Sequence, residues 1–243
     1  MSTLAPIARM VCLLALLTST ALAEMPAFRW ASRAGGSGHD YGTGIALDPQ
    51  GNVLVSGGFN GTESYASEMR LHAAFRSRKG TQTGIFNGKG LKSVGGSDVF
   101  VAKYDQRSHL IWVRTFGGNK IGCPEAGYGL AVDGSGHAHV TGTFAGRMDF
   151  GNNTLFSMGI GDVFVTELDR EGRVIWARQA GAQFSEPIAG HGIAVDRGGN
   201  SYVIGYYRGN ITFGDYVLKS LEDRKSTRLN SSHIPLSRMP SSA

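Results

Sequence analysis

Cysteine is almost missing from this chain of 243 residues, which has only Cys12 and Cys123. Cys12 sits in an N-terminal apolar run expected to be cleaved, so Cys123 is left alone and an intramolecular disulfide is excluded, although an exported compartment would permit one. Cys123 has no adjoining His or Lys and reads as an incidental loop thiol. Long apolar runs are missing too. The segment from Met10 to Leu17 is short of the roughly 20 residues a membrane-spanning helix needs, so no transmembrane segment is expected after its removal. No other stretch shows a sustained helical period. An excess of one charge is also absent once both ends are set aside. The whole chain carries 24 Lys plus Arg against 19 Asp plus Glu, but residues 24–222 carry 19 against 18. That balance gives no argument for nucleic acid as a partner. Catalytic signatures are missing as well: Gly35-Gly36-Ser37-Gly38 lacks the following helix and lysine of a phosphate-binding loop.

The two ends differ from the rest. Residues 1–23 combine Arg9, the Leu-rich run and Ala21-Leu22-Ala23, the pattern of a secretory signal peptide with a mature start near Glu24. The expected location is therefore secreted, periplasmic or at the cell surface. Residues 222–243 lose all periodicity. The run Arg224-Lys225-Ser226-Thr227-Arg228-Leu229-Asn230-Ser231-Ser232-His233 resembles translated cloning-adapter sequence, and this tail is expected to be non-native or disordered and to pack against nothing.

What the chain does have is repetition. Gly44-Ile45-Ala46-Leu47-Asp48 recurs as Gly129-Leu130-Ala131-Val132-Asp133 and Gly192-Ile193-Ala194-Val195-Asp196. Asp133 and Asp196 are 63 residues apart, and Trp112 and Trp176 are 64 apart. A period that long fits one all-β unit per repeat, stacked because a single unit cannot bury its apolar face. The middle copy breaks into four short runs, at 128–133, 138–144, 162–169 and 173–180, separated by Gly-rich turns, which predicts antiparallel strands. Aspartates open the turns at Asp48, Asp105, Asp133, Asp169 and Asp196. An aspartate there bonds its own backbone two residues on, and a glycine supplies positive φ. Their recurrence argues for a structural role, and each cluster has too few carboxylates for a calcium shell.

The strands Asp98-Val99-Phe100-Val101-Ala102-Lys103-Tyr104-Asp105 and Asp162-Val163-Phe164-Val165-Thr166-Glu167-Leu168-Asp169, together with the Trp-x-Arg strand and the Gly-Ile-Ala-Val-Asp strand, resemble the SBBP family of bacterial β-propeller repeats over most of residues 28–221. The resemblance implies four-stranded blades with the Gly-Ile-Ala-Val-Asp strand innermost and the Trp strand outermost, an exported scaffold, and no one agreed activity. Two full blades are expected, at 43–116 and 128–180. An outer strand at 28–33 precedes them, and half a blade ending near Leu221 follows. A closed ring takes about four to eight blades. The fold class is thus all-β, a partial β-propeller of four-stranded antiparallel blades in an open arc over residues 24–221, with self-association expected through its unpaired blade faces.

In propeller order the short aspartate turns share one face, and the long, divergent connections share the other, where function usually lies. One of these connections carries an insertion near 63–84 with Arg70, His72, Arg76, Arg78 and Lys79 around Phe75. It reads as a solvated basic loop, with recognition of an anionic glycan, lipid or acidic protein as the rival, and with one or two helical turns at 69–75. His137 and His139 alternate onto one face of a strand, yet the other copies place Asn52 and Leu54, or Asn200 and Tyr202, there. No third ligand is evident near them in sequence, so no metal site is assigned. Asp40, Glu125 and Glu186 read as solvated loop carboxylates, with a general acid and base pair as the rival. No catalytic, cofactor-binding or metal residue is therefore assigned, and no cofactor. The functional expectation is a non-enzymatic exported scaffold that contacts a protein or glycan through the long-loop face. The alternatives are a carbohydrate-active or other propeller enzyme with part of its active site in missing blades, and a truncated gene product without function of its own.

Overall fold

The structure, a computed structural model, describes residues 30–35, 40–60, 68–74, 91–92, 97–118, 125–181, 188–207, 209–219 and 234–236. The expected signal segment at 1–23 lies outside them. The chain divides into two units, Met1–Trp30 and Ala31–Ala243, and every strand belongs to the second. No helix occurs among the described residues, and hence none long and apolar enough to cross a membrane.

After β1 (Ala31–Gly35), the first blade consists of β2 (Asp40–Leu47), β3 (Val53–Asn60), β6 (Ser97–Tyr104) and β7 (Leu110–Phe116), in the order β2-β3-β6-β7. Between β3 and β6 lie β4 (Glu68–Ala74) and β5 (Leu91–Lys92). The second blade repeats the plan with β8 (Ala126–Val132), β9 (Ala138–Phe144), β12 (Asp162–Leu168) and β13 (Val174–Gly181). Its second-to-third connection is a hairpin of β10 (Arg147–Phe150) and β11 (Asn153–Phe156). The third unit has β14 (Ala189–Val195), β15 (Ser201–Tyr206), and a hairpin of β16 (Asn210–Phe213) and β17 (Tyr216–Lys219), followed by β18 (Ile234–Leu236). All pairings are antiparallel, and the sheets stay open. This is a partial β-propeller.

The aspartate turns share one hydrogen-bond pattern. Asp48 Oδ1 accepts the Gln50 and Asn52 N–H groups at 2.9 and 2.8 Å, and Asp133 Oδ1 those of Ser135 and His137 at 2.8 and 2.9 Å. Asp105, Asp169 and Asp196 bond the residues two and four positions on in the same way. Positive φ falls on Gly51, Gly136, Gly172 and Gly199, and on Ser108 in the fifth turn. The side chain thus organises the loop from within, as the turn chemistry implies.

Period-2 alternation decides which blade face each residue joins. Val99 and Val101 of β6, with Leu54, Trp112 and Phe116, pack against Val140, Phe144, Met148, Phe150, Phe164 and Leu168 of the next blade. Phe100, Ala102 and Tyr104 turn to the opposite face with Phe59. Val163, Val165 and Ala180 meet Ile188, Val203 and Ile211 of the third unit. The third strands serve both faces at once, so β6 is buried along its whole length. Strands enclosed on two sides read as continuous apolar runs.

The Trp-x-Arg strand links one blade to the next. Trp112 Nε1 donates to Arg170 O at 2.8 Å, and Arg114 donates through Nε to Gly172 O and through Nη2 to Glu171 O, both at 2.9 Å. All three acceptors belong to the third-to-fourth turn of the following blade. The hairpins add a second link. β16 pairs with β13, Ala180 facing Phe213 and Gly181 facing Thr212, and a bridge joins Gly118 to Met148 of β10. Each covers the outer edge of the preceding blade, where exposed N–H and C=O groups would otherwise invite foreign pairing.

Two expectations are corrected here. Residues 69–75 were expected to form helical turns, but Glu68–Ala74 is a strand paired with β1, and β5 pairs with β4 in turn. The three take the order outer strand then hairpin, as β13-β16-β17 do. Seven residues are too few for a stable isolated helix, whereas an outer strand's open edge offers a full row of partners. The tail was expected to pack against nothing, yet Ile234–Leu236 pairs with β15, from Ser201 facing Leu236 to Val203 facing Ile234. It occupies the edge where a third strand belongs. Pro235, opposite Tyr202, is tolerable because the strand is an edge.

Candidate functional site

The first strands β2, β8 and β14 follow one another on the axial side, and each carries the same irregularity. Register shifts fall between Gly42 and Gly44, between Gly127 and Gly129, and between Gly190 and Gly192. The extra residue in each bulge is Thr43, Tyr128 or His191. A bulge re-aims a side chain that regular pleating would bury or bond elsewhere. The flanking glycines let neighbouring first strands approach: a Cβ on Gly44 would stand 2.8 Å from Leu130 Cβ, and one on Gly129 would stand 3.0 Å from Ile193 N. Thr43 Oγ1 accordingly donates to Gly127 O of the next first strand.

The two aromatic bulge residues meet. Tyr128 and His191 stack with ring centroids 5.0 Å apart and planes at 25°, and Tyr206 at the end of β15 lies 5.3 Å from His191 at 34°. Burial, with Tyr206 beside it, pushes the Tyr128 phenol above its usual range. Burial and Tyr128 do the same to Tyr41, which is still 38% exposed. Tyr128 and Tyr206 are half-buried and His191 is exposed. These residues sit where first strands begin and a second strand ends, which is the long-loop face. The result is a partly open aromatic platform at the axial end of that face. It was missed in the sequence, although Gly-x-Gly at 42–44, 127–129 and 190–192 was the available signal.

The acidic residues expected at this mouth separate. Asp40 is half-buried, and Glu186 lies outside the described residues. Glu125 is not the solvated carboxylate expected: it is 1% exposed, with Oε2 accepting the Gly118 N–H at 2.9 Å and Oε1 without a hydrogen bond. Burial, reinforced by the nearby Asp98 charge and opposed by the Gly118 bond, pushes its pKa up to about 8. Gly118 lies against it, and a Cβ there would come within 2.7 Å of Oε1, while one on Gly117 would meet the Asp98 carboxyl instead. A carboxyl so enclosed offers no surface to a substrate. Of the basic insertion, Arg70 and His72 lie in β4, while Phe75, Arg76, Arg78 and Lys79 fall outside the described residues, as does Cys123.

On the short-turn side, His137 and His139 do acquire partners. Asp133, His139 and Glu167 bring ligand atoms within 4.8 Å of one another. His137 Nδ1 lies 2.8 Å from Glu167 Oε1 and 3.8 Å from Asp133 Oδ2. Sequence reading overlooked Asp133 because it had already been assigned to the turn. Glu167 was overlooked because only the pairing of β12 with β9 sets it opposite His139. Burial pushes the His139 imidazole below its usual pKa, against the pull of Glu167 and Asp133.

A family model described as SBBP, a β-propeller repeat, matches residues 29–58 and 175–206. Each match runs from an outer strand through the first and second strands of the unit that follows, so both cover the same part of the architecture, and both are SBBP-type repeats. No curated protein matches the chain.

Proposed function

We propose that this chain, a scaffold of SBBP-type propeller repeats, works as an exported glycan-binding protein whose contact surface is the axial end of the long-loop face. The observation that supports this is the Tyr128, His191 and Tyr206 platform. Stacked rings with partly open faces suit the C–H faces of a sugar ring, and their rigidity keeps the entropy lost on binding small. Bulges on packed first strands hold two of the three rings in place before any ligand arrives. The enzyme alternative gains no support from Glu125, which is enclosed. Affinity electrophoresis of the chain against a panel of neutral and acidic polysaccharides tests the reading. Retardation by at least one polymer is expected, with Tyr128→Ala and His191→Ala each weakening it about tenfold, the effect of losing one buried aromatic contact. If no polysaccharide retards the chain, or if both variants bind as the parent does, the reading fails.

A further inference from the structure

The geometry points to a divalent metal site, of the kind zinc occupies, formed by Asp133, His137, His139 and Glu167 at the junction of the second blade with the third unit. It does not rest on the glycan reading, and it lies by the short turns rather than the long loops. The repeat itself sets this place apart from its counterparts. In the first blade the equivalent of Glu167 is Lys103, paired in register with Leu54, and its Nζ stands 2.9 Å from Asp48 Oδ2, both side chains being buried. The first blade therefore neutralises its turn aspartate with a built-in ammonium. In the third unit the Tyr202 hydroxyl and Asn200 Nδ2 serve Asp196 Oδ2, at 3.1 and 2.8 Å. The second blade replaces the ammonium with a second carboxylate and replaces Leu54 and Asn52 with His139 and His137. Two carboxylates brought together with two imidazoles in a largely enclosed place call for about two compensating positive charges.

Three of the four ligands are oriented by a bond on the atom that does not face the site. Asp133 commits Oδ1 to its own turn. Glu167 commits Oε2 to Trp176 Nε1, at 2.5 Å. His139 commits Nδ1 to Ser201 Oγ of the third unit, at 2.8 Å. What remains is Asp133 Oδ2, His139 Nε2 and Glu167 Oε1, the last met by His137 Nδ1 at 2.8 Å, and the three residues offer ligand atoms within 4.8 Å of one another. Metal ligands are usually held in this way, by an outer bond on the atom that does not touch the ion. His139 is 0% exposed, its Nε2 makes no hydrogen bond, and Asp133 Oδ2 stands 3.6 Å from it. Tetrahedral zinc with bonds near 2.1 Å sets its ligand atoms about 3.4 Å apart. The observed separations of 2.8, 3.6 and 3.8 Å bracket that value. A mixed set of two imidazoles and two carboxylates favours a transition ion over calcium or magnesium.

The test compares the chain with the double variant His139→Leu, Glu167→Lys, which installs the first blade's pair. After stripping with chelator, the parent should bind one Zn²⁺ that the variant does not. The parent's melting temperature should rise by about 5–10 °C at zinc a hundredfold above Kd. The variant should melt cooperatively and ignore both zinc and chelator. Should the variant fail to fold, Co²⁺ added to the parent gives an independent reading: visible d–d bands of tetrahedral intensity are expected, weakened by His137→Asn. Equal zinc uptake by parent and variant, or a parent indifferent to zinc with no tetrahedral cobalt spectrum, overturns the site and leaves the His137–Glu167 contact at 2.8 Å as an ordinary side-chain pair.

Discussion

At the scale of single residues, position in the turn or at the blade junction matters more than residue type. The same carboxylate is a turn organiser at Asp169, a partner of a buried ammonium at Asp48, and an enclosed acid at Glu125. The last makes a pH prediction. Glu125 titrates near 8 in the folded chain and near its ordinary value when unfolded, so between those values the native state holds the extra proton. Its contribution is complete below the unfolded pKa and is lost as pH rises through about 8, at about 1.4 kcal/mol per unit of difference. Urea unfolding of the parent should therefore show stability declining from pH 5 to 8, and Glu125→Gln should flatten that decline and be the more stable protein at pH 8. An unchanged slope in the variant would mean that Glu125 is ionised in the native state. The turn aspartates were legible in the sequence because their chemistry is local. Glu125 was not, since it is enclosed through contacts such as the Gly118 N–H that only the folded chain brings to it.

At the scale of elements, strands and turns could be read from alternation and Asp-Gly punctuation, and the observed boundaries fall within a few residues of the expected ones. The bulges escaped because a bulge is defined only against a partner strand, and so did the identity of Glu68–Ala74, whose strand conformation depends on β1. Glycines divide along the same line. Gly129 lies where two first strands touch, and an added Cβ would fall 2.9 Å from Thr141 Cγ2 and 3.0 Å from Ile193 N. Gly134, in the neighbouring turn, has nothing within 4 Å. Gly129→Ala is expected to destabilise the chain by about 1–3 kcal/mol through overpacking, and Gly134→Ala by less than about 0.5 kcal/mol. Denaturant midpoints check this, and comparable losses at both sites would show that backbone freedom rather than inter-strand clearance governs the first strands.

At the scale of the molecule, the Trp-x-Arg clasp makes the blades cohere, and the two copies of it are in different states. Arg114 donates to Glu171 O and Gly172 O of the neighbouring blade. Its equivalent Arg178 is exposed, and among the described residues its guanidinium donates only to the adjoining Ala177 O, at 3.2 Å. Arg114→Ala should cost about 1.5–3 kcal/mol of stability, as the loss of charge-assisted hydrogen bonds does, while Arg178→Ala should leave stability nearly unchanged. The clasp and the turn it grips are different surfaces, so the contact is not its own mirror. Two copies joined through it would lack a twofold axis, and the second copy would still offer an unused clasp to a third. Association by this route has no natural end point. Sedimentation of the parent at rising concentration should give a widening ladder of species, not a single dimer, and Arg178→Ala should shorten the ladder. A sharp dimer in both proteins would place the contact elsewhere. Association through a contact that grips forward along the sequence would thus, by symmetry alone, be directional.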